Sequence, residues 1–433
     1  MPIRGLAILV VCVGLTCDRL ASQQLSAPDR EQLVSLVWSH AREDRAATLD
    51  TRADWDSALA GGLRLAALPQ SDLLCYRRLR RIAALLDDGQ ADVAPPAPIR
   101  SRMARPPLRL VAVERRPFIL DYATNDEMRV ARPERLAEIL AVQGIPAEDW
   151  IRDSIIPEVG GATPASRWER AIGAMLDGER GTALHLLLRL PGGEQRGISV
   201  TRSVSWNDRW PLADPAIGFD SLPDGLVVVR ITAFNDADVV QQFDRAFATF
   251  SGVHALIFDL RDARGARREH AYQILARLTS DPFAGVVRRT REYRPGLRAL
   301  GHPDSAVTWY TLPPDTIAPR TDRPAFRGPV VVLISARTLG AAEDFAASFR
   351  SMSRGVIIGE TSAGSPGEPL SVSLLKNWSL ELSAVRDAFS DGTSFTGTGV
   401  TPDVPVPGTV DDFLAGKDAA LERARAYVTP PHE

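Results

Sequence analysis

Cysteine is scarce in this 433-residue chain: there are 3, with Cys12 and Cys17 in or beside the first apolar stretch and Cys75 standing alone. Once an N-terminal leader is removed, no intramolecular disulfide framework can be built, so the fold must rest on a packed core in which Cys75 reads as a small apolar member. Histidine is equally thin, at 6 residues, and no two of them flank a glutamate, so a metal signature is missing. An excess of one charge sign is missing too. The 51 basic and 54 acidic side chains leave a formal net charge of -3, and the two signs are interspersed. Without a basic stripe, nucleic acid drops out as a partner. The apolar run from Gly5 to Thr16 is too short to span a bilayer comfortably.

What is present fits a globular chain of two or three domains, 45% hydrophobic and 24% charged. The first 24 residues read as an export signal, with Arg4 as the positive start, GLAILVVCVGLT as the apolar stretch and polar or small residues at Asp18 to Gln24. The mature protein is therefore expected outside the cytoplasm, periplasmic or otherwise extracytoplasmic. Cys17 offers a lipid anchor, but Gly14-Leu15-Thr16 lacks the leucine usual three places before a lipidated cysteine, which favours simple cleavage.

Residues 25–98 carry a helical pattern, with Leu33, Leu36 and Val37 first and Leu73 to Leu86 at three- and four-residue spacing. The pattern ends in LLDDGQADV, and APPAP (Ala94 to Pro98) is expected to be a linker. Residues 105–205 begin with strands at Leu108–Val113 and Pro117–Tyr122. An irregular stretch then leads to a helix at Ser166–Leu176 and a hairpin over Asp177–Ser203 about Pro191-Gly192-Gly193. This segment resembles a PDZ domain, which takes an added peptide strand beside an exposed edge. Residues 222–410 alternate strand and helix: Gly225–Thr232, Asp238–Phe250, Ala255–Arg261, Arg268–Leu278, Val330–Ile334, Ala341–Ser351 and Gly355–Glu360. The fold class is α/β. In such sheets chemistry collects in loops at the carboxyl ends of strands, here after Arg261 and before Ala341. Residues 411–433 form a tail, with a helix expected over Val410–Tyr427.

Six stretches occur in an order that resembles the tail-specific, or C-terminal processing, serine proteases: LLDDGQ, GLVVVRITAF, ALIFDLR, VVVLISARTLGAAEDF, VIIGETSAG and GTGVTPDVPV. The branch that includes the tricorn protease core and the interphotoreceptor retinoid-binding protein is the most similar. The resemblance implies a layered α/β peptidase core of the ClpP/crotonase kind, an N-terminal helical bundle, a PDZ-like β module, a peptide or protein ligand and no cofactor. It also implies a serine opening the helix in a Ser-Ala-Ala-Glu pattern, where Gly340 stands before Ala341, Ala342 and Glu343. A general-base lysine about 25 residues later would fall on Ser365, and no lysine lies between Gly340 and Leu375. The histidine of the tricorn-like branch would fall on Gln90 of LLDDGQ, whose amide is no useful base. Its glutamate would fall on Thr396, three residues before Gly399-Val400. Of the oxyanion loop after Asp259-Leu260-Arg261, only Gly265 is kept, while Asp259, Arg261, Glu343, Gly359, Glu360, Pro402 and Asp403 match the scaffold.

The resemblance thus implies a peptidase framework with nucleophile and bases replaced: a protein that holds peptide without cutting it. The alternative is an active serine peptidase using another hydroxyl, from Ser335, Thr338, Ser362 or Ser365, with His254 or His270 as base. Such loop serines are more often turn formers and caps. Arg264, Arg267 and Arg268, beside the oxyanion loop, would favour an acidic group or form a solvated helix face.

Overall fold

The computed structural model describes residues 25–45, 54–122, 135–206, 215–222, 225–250, 252–302 and 307–429. The expected export signal and Cys17 lie outside them. Three helices open the described chain: α1 (Ala27–Glu43), α2 (Trp55–Ala67) and α3 (Asp72–Ala84). Each starts where a short polar side chain can take a free amide. Ser26 and Asp29 form a reciprocal capping box on α1, and Asp54 and Ser71 cap α2 and α3. Leu33, Val34 and Val37 pack with Tyr76, Leu79 and the buried Cys75. Burial pushes the Cys75 thiol up to about 11, so it behaves as an apolar group.

The expected linker is ordered instead. Strand β1 (Asp92–Ala94) pairs antiparallel with Ser379–Leu382, and Ala97–Arg100 forms a helical turn. Proline in the first turn of that helix removes an amide that would have had no partner in any case, so proline richness did not mean an extended tether.

The second segment is an antiparallel sheet in spatial order β2 (Leu108–Val113), β3 (Arg116–Tyr122), β4 (Glu138–Val142), β5 (Ala183–Arg189) and β6 (Gln195–Thr201). Helix α4 (Pro164–Ala174) packs along edge strand β2. It begins two residues before the expected Ser166 because the Thr163 hydroxyl accepts the Ser166 amide at 3.1 Å. The stretch read as irregular holds β4 and helical turns from Ala147 to Glu158.

The third segment builds a six-stranded sheet: β7 (Ile217–Leu222), β8 (Leu226–Ile231), β9 (Ala255–Asp259), β10 (Val330–Ile334), β11 (Val356–Gly359) and β12 (Val404–Pro405). Strand β7 runs antiparallel to β8, and all later neighbours are parallel. Alternate residues face opposite layers. Val227, Val229, Phe258, Val332 and Ile334 pack against α5 (Asp238–Phe247), α6 (Arg268–Leu275) and α7 (Ala341–Ser351). Val228, Ile257, Val331 and Leu333 meet Ala420 and Ala424 of α8 (Ala419–Val428). Burial on both faces is why the strands read as unbroken apolar runs.

The tail is broken into Val410–Leu414 and α8, not continuous over Val410–Tyr427. Gly416 takes φ 68° and Asp418 restarts the helix by accepting the Leu421 amide at 3.0 Å. Arg261 fixes the restart, donating to Asp418 at 2.7 Å and to Asp259 at 2.7 and 2.9 Å.

Candidate functional site

The turn from β10 into α7 is fastened on one side to the loop after β9. Ser335 Oγ donates to the Arg261 carbonyl at 2.7 Å, and Thr338 Oγ1 donates to the Leu260 carbonyl at 2.8 Å. The Leu339 amide donates to the Ala263 carbonyl at 3.0 Å and the Ala341 amide to the Gly265 carbonyl at 2.7 Å. On the other side the Gly340 amide donates to the Ser365 carbonyl at 3.2 Å. Gly340 itself has φ 66° and ψ -129°, a sharp strand-to-helix bend that residues with a Cβ rarely adopt.

Gln90 arrives from the end of the helical segment and meets the same loop. Its side-chain amide donates to the Gly367 carbonyl at 2.8 Å and to the Ser365 carbonyl at 3.3 Å. The Ser365 carbonyl is therefore shared by Gln90 and Gly340. Ser365 Oγ accepts the Gly89 amide at 2.7 Å, and the Gly89 carbonyl takes a short hydrogen bond from Arg170. Thr396 stands one layer further out. Its hydroxyl accepts the Asp387 amide at 2.8 Å and donates to the Asp387 carbonyl at 3.1 Å. The carboxylate of Asp387 returns to the site: a Cβ on Gly367 would lie 2.8 Å from it. Gly340, Gln90 and Ser365 thus share hydrogen bonds, whereas Thr396 is bonded to the backbone of Asp387.

A carbonyl fills the place where a side chain at Gly340 would begin. An ideal Cβ there would sit 2.2 Å from the Gly265 oxygen and 3.3 Å from the Gly367 oxygen. The same Gly265 oxygen accepts the Ala341 amide, so the first helical N–H beyond the bend is already taken. An amide available to an incoming oxyanion must point into open space. This one points at a backbone oxygen.

Glu343 lies wholly buried beneath the bend. It accepts from Ser362 Oγ at 2.5 Å, the Gly364 amide at 2.7 Å and the Ser365 amide at 2.9 Å. Burial pushes its carboxyl up to about 7, an effect those donors only partly offset. The next residue, Asp344, shares the guanidinium of Arg268 with Asp387, at 3.6 and 3.1 Å. All three are buried, and desolvation lifts both aspartates, Asp344 well above the usual carboxylate range. Arg268 is therefore not part of a solvated helix face. Arg267 is exposed and lies 3.7 Å from Glu368. The sequence hint to the buried cluster was the adjacent pair Glu343-Asp344 in a helix whose residues up to Phe349 are otherwise apolar or small.

The remaining candidate hydroxyls and the His270 imidazole have structural partners. Ser362 Oγ donates to Glu343 and accepts the Val400 amide at 2.7 Å, while His270 Nδ1 lies 2.9 Å from the Phe234 carbonyl. His254 lies beside Gly225 at the start of β9. The framework residues hold strand ends together. Asp403 accepts the Ile357 amide at 2.8 Å, and Glu360 accepts the Gly408 amide at 3.1 Å. Among the described residues no cluster of three or more His, Cys, Asp or Glu could hold a metal ion.

A cavity of about 660 Å3 opens beside the bend, walled by Leu108, Arg109 and Leu110 of β2 and by Glu169, Arg170 and Gly173 of α4. Arg80, Arg105 and Arg264 add to its lining. A smaller recess shares Glu169, Arg170 and Arg264 with it and touches Leu339 and Ala363 next to Gly340. Of these arginines the sequence singled out Arg264, and the others were not legible because they are scattered from residue 80 to residue 170.

A parallel sheet whose central strand turns sharply into a buried helix, backed by a loop after the neighbouring strand, is the framework of a serine-peptidase-like α/β protein. Residues 225–406 match the model of peptidase family S41, the family of the tail-specific proteases. Mature CPAF complexed with lactacystin is similar in structure, with a TM-score of 0.71 and 16% identity over 93% of this chain and 97% of that one. A putative peptidase from Parabacteroides merdae has a TM-score of 0.52 and 17% identity over 93% and 98% of the two chains. Both likenesses concern the fold. No curated protein matches the sequence.

Proposed function

We propose that this chain is a non-catalytic member of its family, exported from the cytoplasm, that holds a peptide or protein segment without hydrolysing it. Gly340 has no hydroxyl at the position where the family resemblance implies the nucleophile. The observation that carries the reading is the Gly265 carbonyl, which occupies the space of a Cβ at Gly340 and ties up the Ala341 amide. Gln90, at the position implied for the base, is engaged as a donor to two backbone carbonyls, a structural task that needs no proton transfer. Glycine in this conformation keeps the bend without the cost a side chain would impose.

An edge strand alongside a helix, as in β2 and α4, supports the PDZ-like reading and gives the peptide a place to bind. A serine-directed fluorophosphonate probe tests the proposal. No labelling of the folded protein and no cleavage of casein or unfolded peptides is the expected result. Stoichiometric labelling that disappears on heat unfolding would overturn it.

A further inference from the structure

Beneath the bend, one guanidinium serves two carboxyls. Arg268 of α6 lies 3.1 Å from Asp387 and 3.6 Å from Asp344, and all three side chains are buried, that of Asp344 completely. With both acids ionised, the cluster would hold a net negative charge away from water. The other groups that face it do not relieve this. Arg288, opposite Asp387 in the neighbouring strand Val287–Tyr293, also serves Asp315 at 3.4 Å. Glu343 on α7 and Tyr272 on α6 can add only negative charge. The hydrogen bonds point the same way. Among the described residues, neither oxygen of Asp344 accepts a hydrogen bond, and Asp387 Oδ1 accepts none. A carboxylate buried without donors bears its full desolvation penalty. A carboxylic acid at Asp344 can instead donate to Asp387, which is within hydrogen-bonding reach, and the pair then needs only one positive partner.

What this cluster holds in place is the cover of the bend. Asp387 belongs to the strand Val385–Ala388, and its backbone takes both hydrogen bonds of Thr396. The turn at Gly367 rests on the charged groups: a Cβ there would lie 2.6 Å from Arg268 Nη2 and 2.8 Å from Asp387 Oδ2. The Gly367 carbonyl in turn holds Gln90 and faces Gly340. Helix α7 is buried from Ala341 to Phe349, whereas Val385–Ala388 is held to its neighbour over four residue pairs at the edge of a three-stranded sheet. Repulsion between Asp344 and Asp387 would therefore displace the strand and the Gly367 turn, not the helix.

We propose that Asp344 and Asp387 share one proton over Arg268 and that this proton is a latch. While it is held, the strand Val385–Ala388 and the Gly367 turn stay closed over the bend at Gly340; as pH rises, Asp344 gives the proton to solvent and they open. Desolvation raises both acids, so the release comes above the ordinary carboxylate range. The latch does not depend on what the cleft holds, and it stands or falls apart from the peptide-binding reading.

Infrared difference spectroscopy and hydrogen exchange on the full chain test this. At about pH 6, where an ordinary aspartate is ionised, the spectrum of the parent minus that of Asp344→Asn is expected to show the carbonyl band of a protonated carboxylic acid. Exchange at the Val385–Ala388 amides, corrected for its intrinsic pH dependence, is expected to rise at least about fivefold between about pH 6 and about pH 9. Amides of β9, inside the large sheet, should stay protected, which marks the opening as local. Asp344→Asn and Asp387→Asn should each flatten the rise, since one guanidinium then faces one carboxyl. A missing acid band would overturn the shared proton, because Asp344 would then be ionised, with Ser348 one turn along α7 or enclosed water donating to it. A rise of the same size in both variants, or one shared by β9, would overturn the latch. If a variant does not fold, the parent's exchange profile still decides: no rise at Val385–Ala388 overturns the proposal.

Discussion

Gly340 shows how much one residue constrains its surroundings. Restoring a serine requires a Cβ in a backbone conformation that favours glycine, and the Gly265 oxygen lies 2.2 Å from where that atom would be. Relief demands that the loop from Asp262 to Ala266 give up its hydrogen bond to the Ala341 amide. Gly340→Ser is therefore expected to cost about 2 to 4 kcal/mol, read as a shift in urea midpoint, and to remain unlabelled by fluorophosphonate. A variant as stable as the parent, or one that labels, would show that the loop yields easily. Adding Gln90→His and Thr396→Glu does not remove the obstruction. Thr396→Glu also places a carboxylate beside Asp387, whose own carboxyl is already pushed up by burial.

At the scale of elements, the bend is backed by a buried carboxylate as well as by its own backbone. Glu343 on α7 takes three donors from the Ser362–Ser365 loop, and that loop is joined to the closing motif by Ser362 Oγ to the Val400 amide. Glu343→Ala strands one hydroxyl and two amides away from water, so a loss on the order of 3 kcal/mol is expected, together with faster hydrogen exchange at Gly364 and Ser365. Unchanged exchange at those amides would mean that the loop is held by something else. The conservative Glu343→Gln keeps part of the acceptor set and should lose less. These elements were legible in the sequence to different degrees. Strand β10 and helix α7 fall on the expected residues because an apolar run buried on both faces and a glycine-led helix start are strong local signals. The first turn of α4, the break at Gly416 and the ordering of Ala94 to Pro98 depend on single hydrogen bonds or on pairing with distant strands. The resemblance pointed to Gly340, Gln90 and Ser365, which meet at the Ser365 carbonyl. It gave no sign that the Gly265 carbonyl would turn inward, since a peptide's orientation leaves no mark on composition or spacing.

Across the whole molecule, buried carboxyls set the sign of the pH dependence. Burial raises Glu343 from 4.5 to about 7 and Asp177 from 3.8 to about 7, and it raises Asp344 and Asp387 in the same direction. A carboxyl whose folded pKa exceeds its unfolded value keeps a proton that the unfolded chain has released. Stability therefore falls as pH rises from the unfolded value toward the folded one. Carboxyls held low by hydrogen bonds, such as Asp29 with Lys376 and Asp322 with Arg277, both at about 2, work the other way. Their stabilisation is lost only as pH drops below about 4, so they contribute no slope near neutrality. The protein is expected to be more stable at pH 5.5 than at pH 7.5 by at least about 2 kcal/mol, measured by urea denaturation at constant ionic strength. Glu343→Gln should shrink that difference without abolishing it, because Asp177, raised to about 7 by burial, still releases its proton in the same range. Equal or greater stability at pH 7.5 would mean that these carboxyls are ionised in the folded chain, with the donors around Glu343 and the guanidinium of Arg268 outweighing burial.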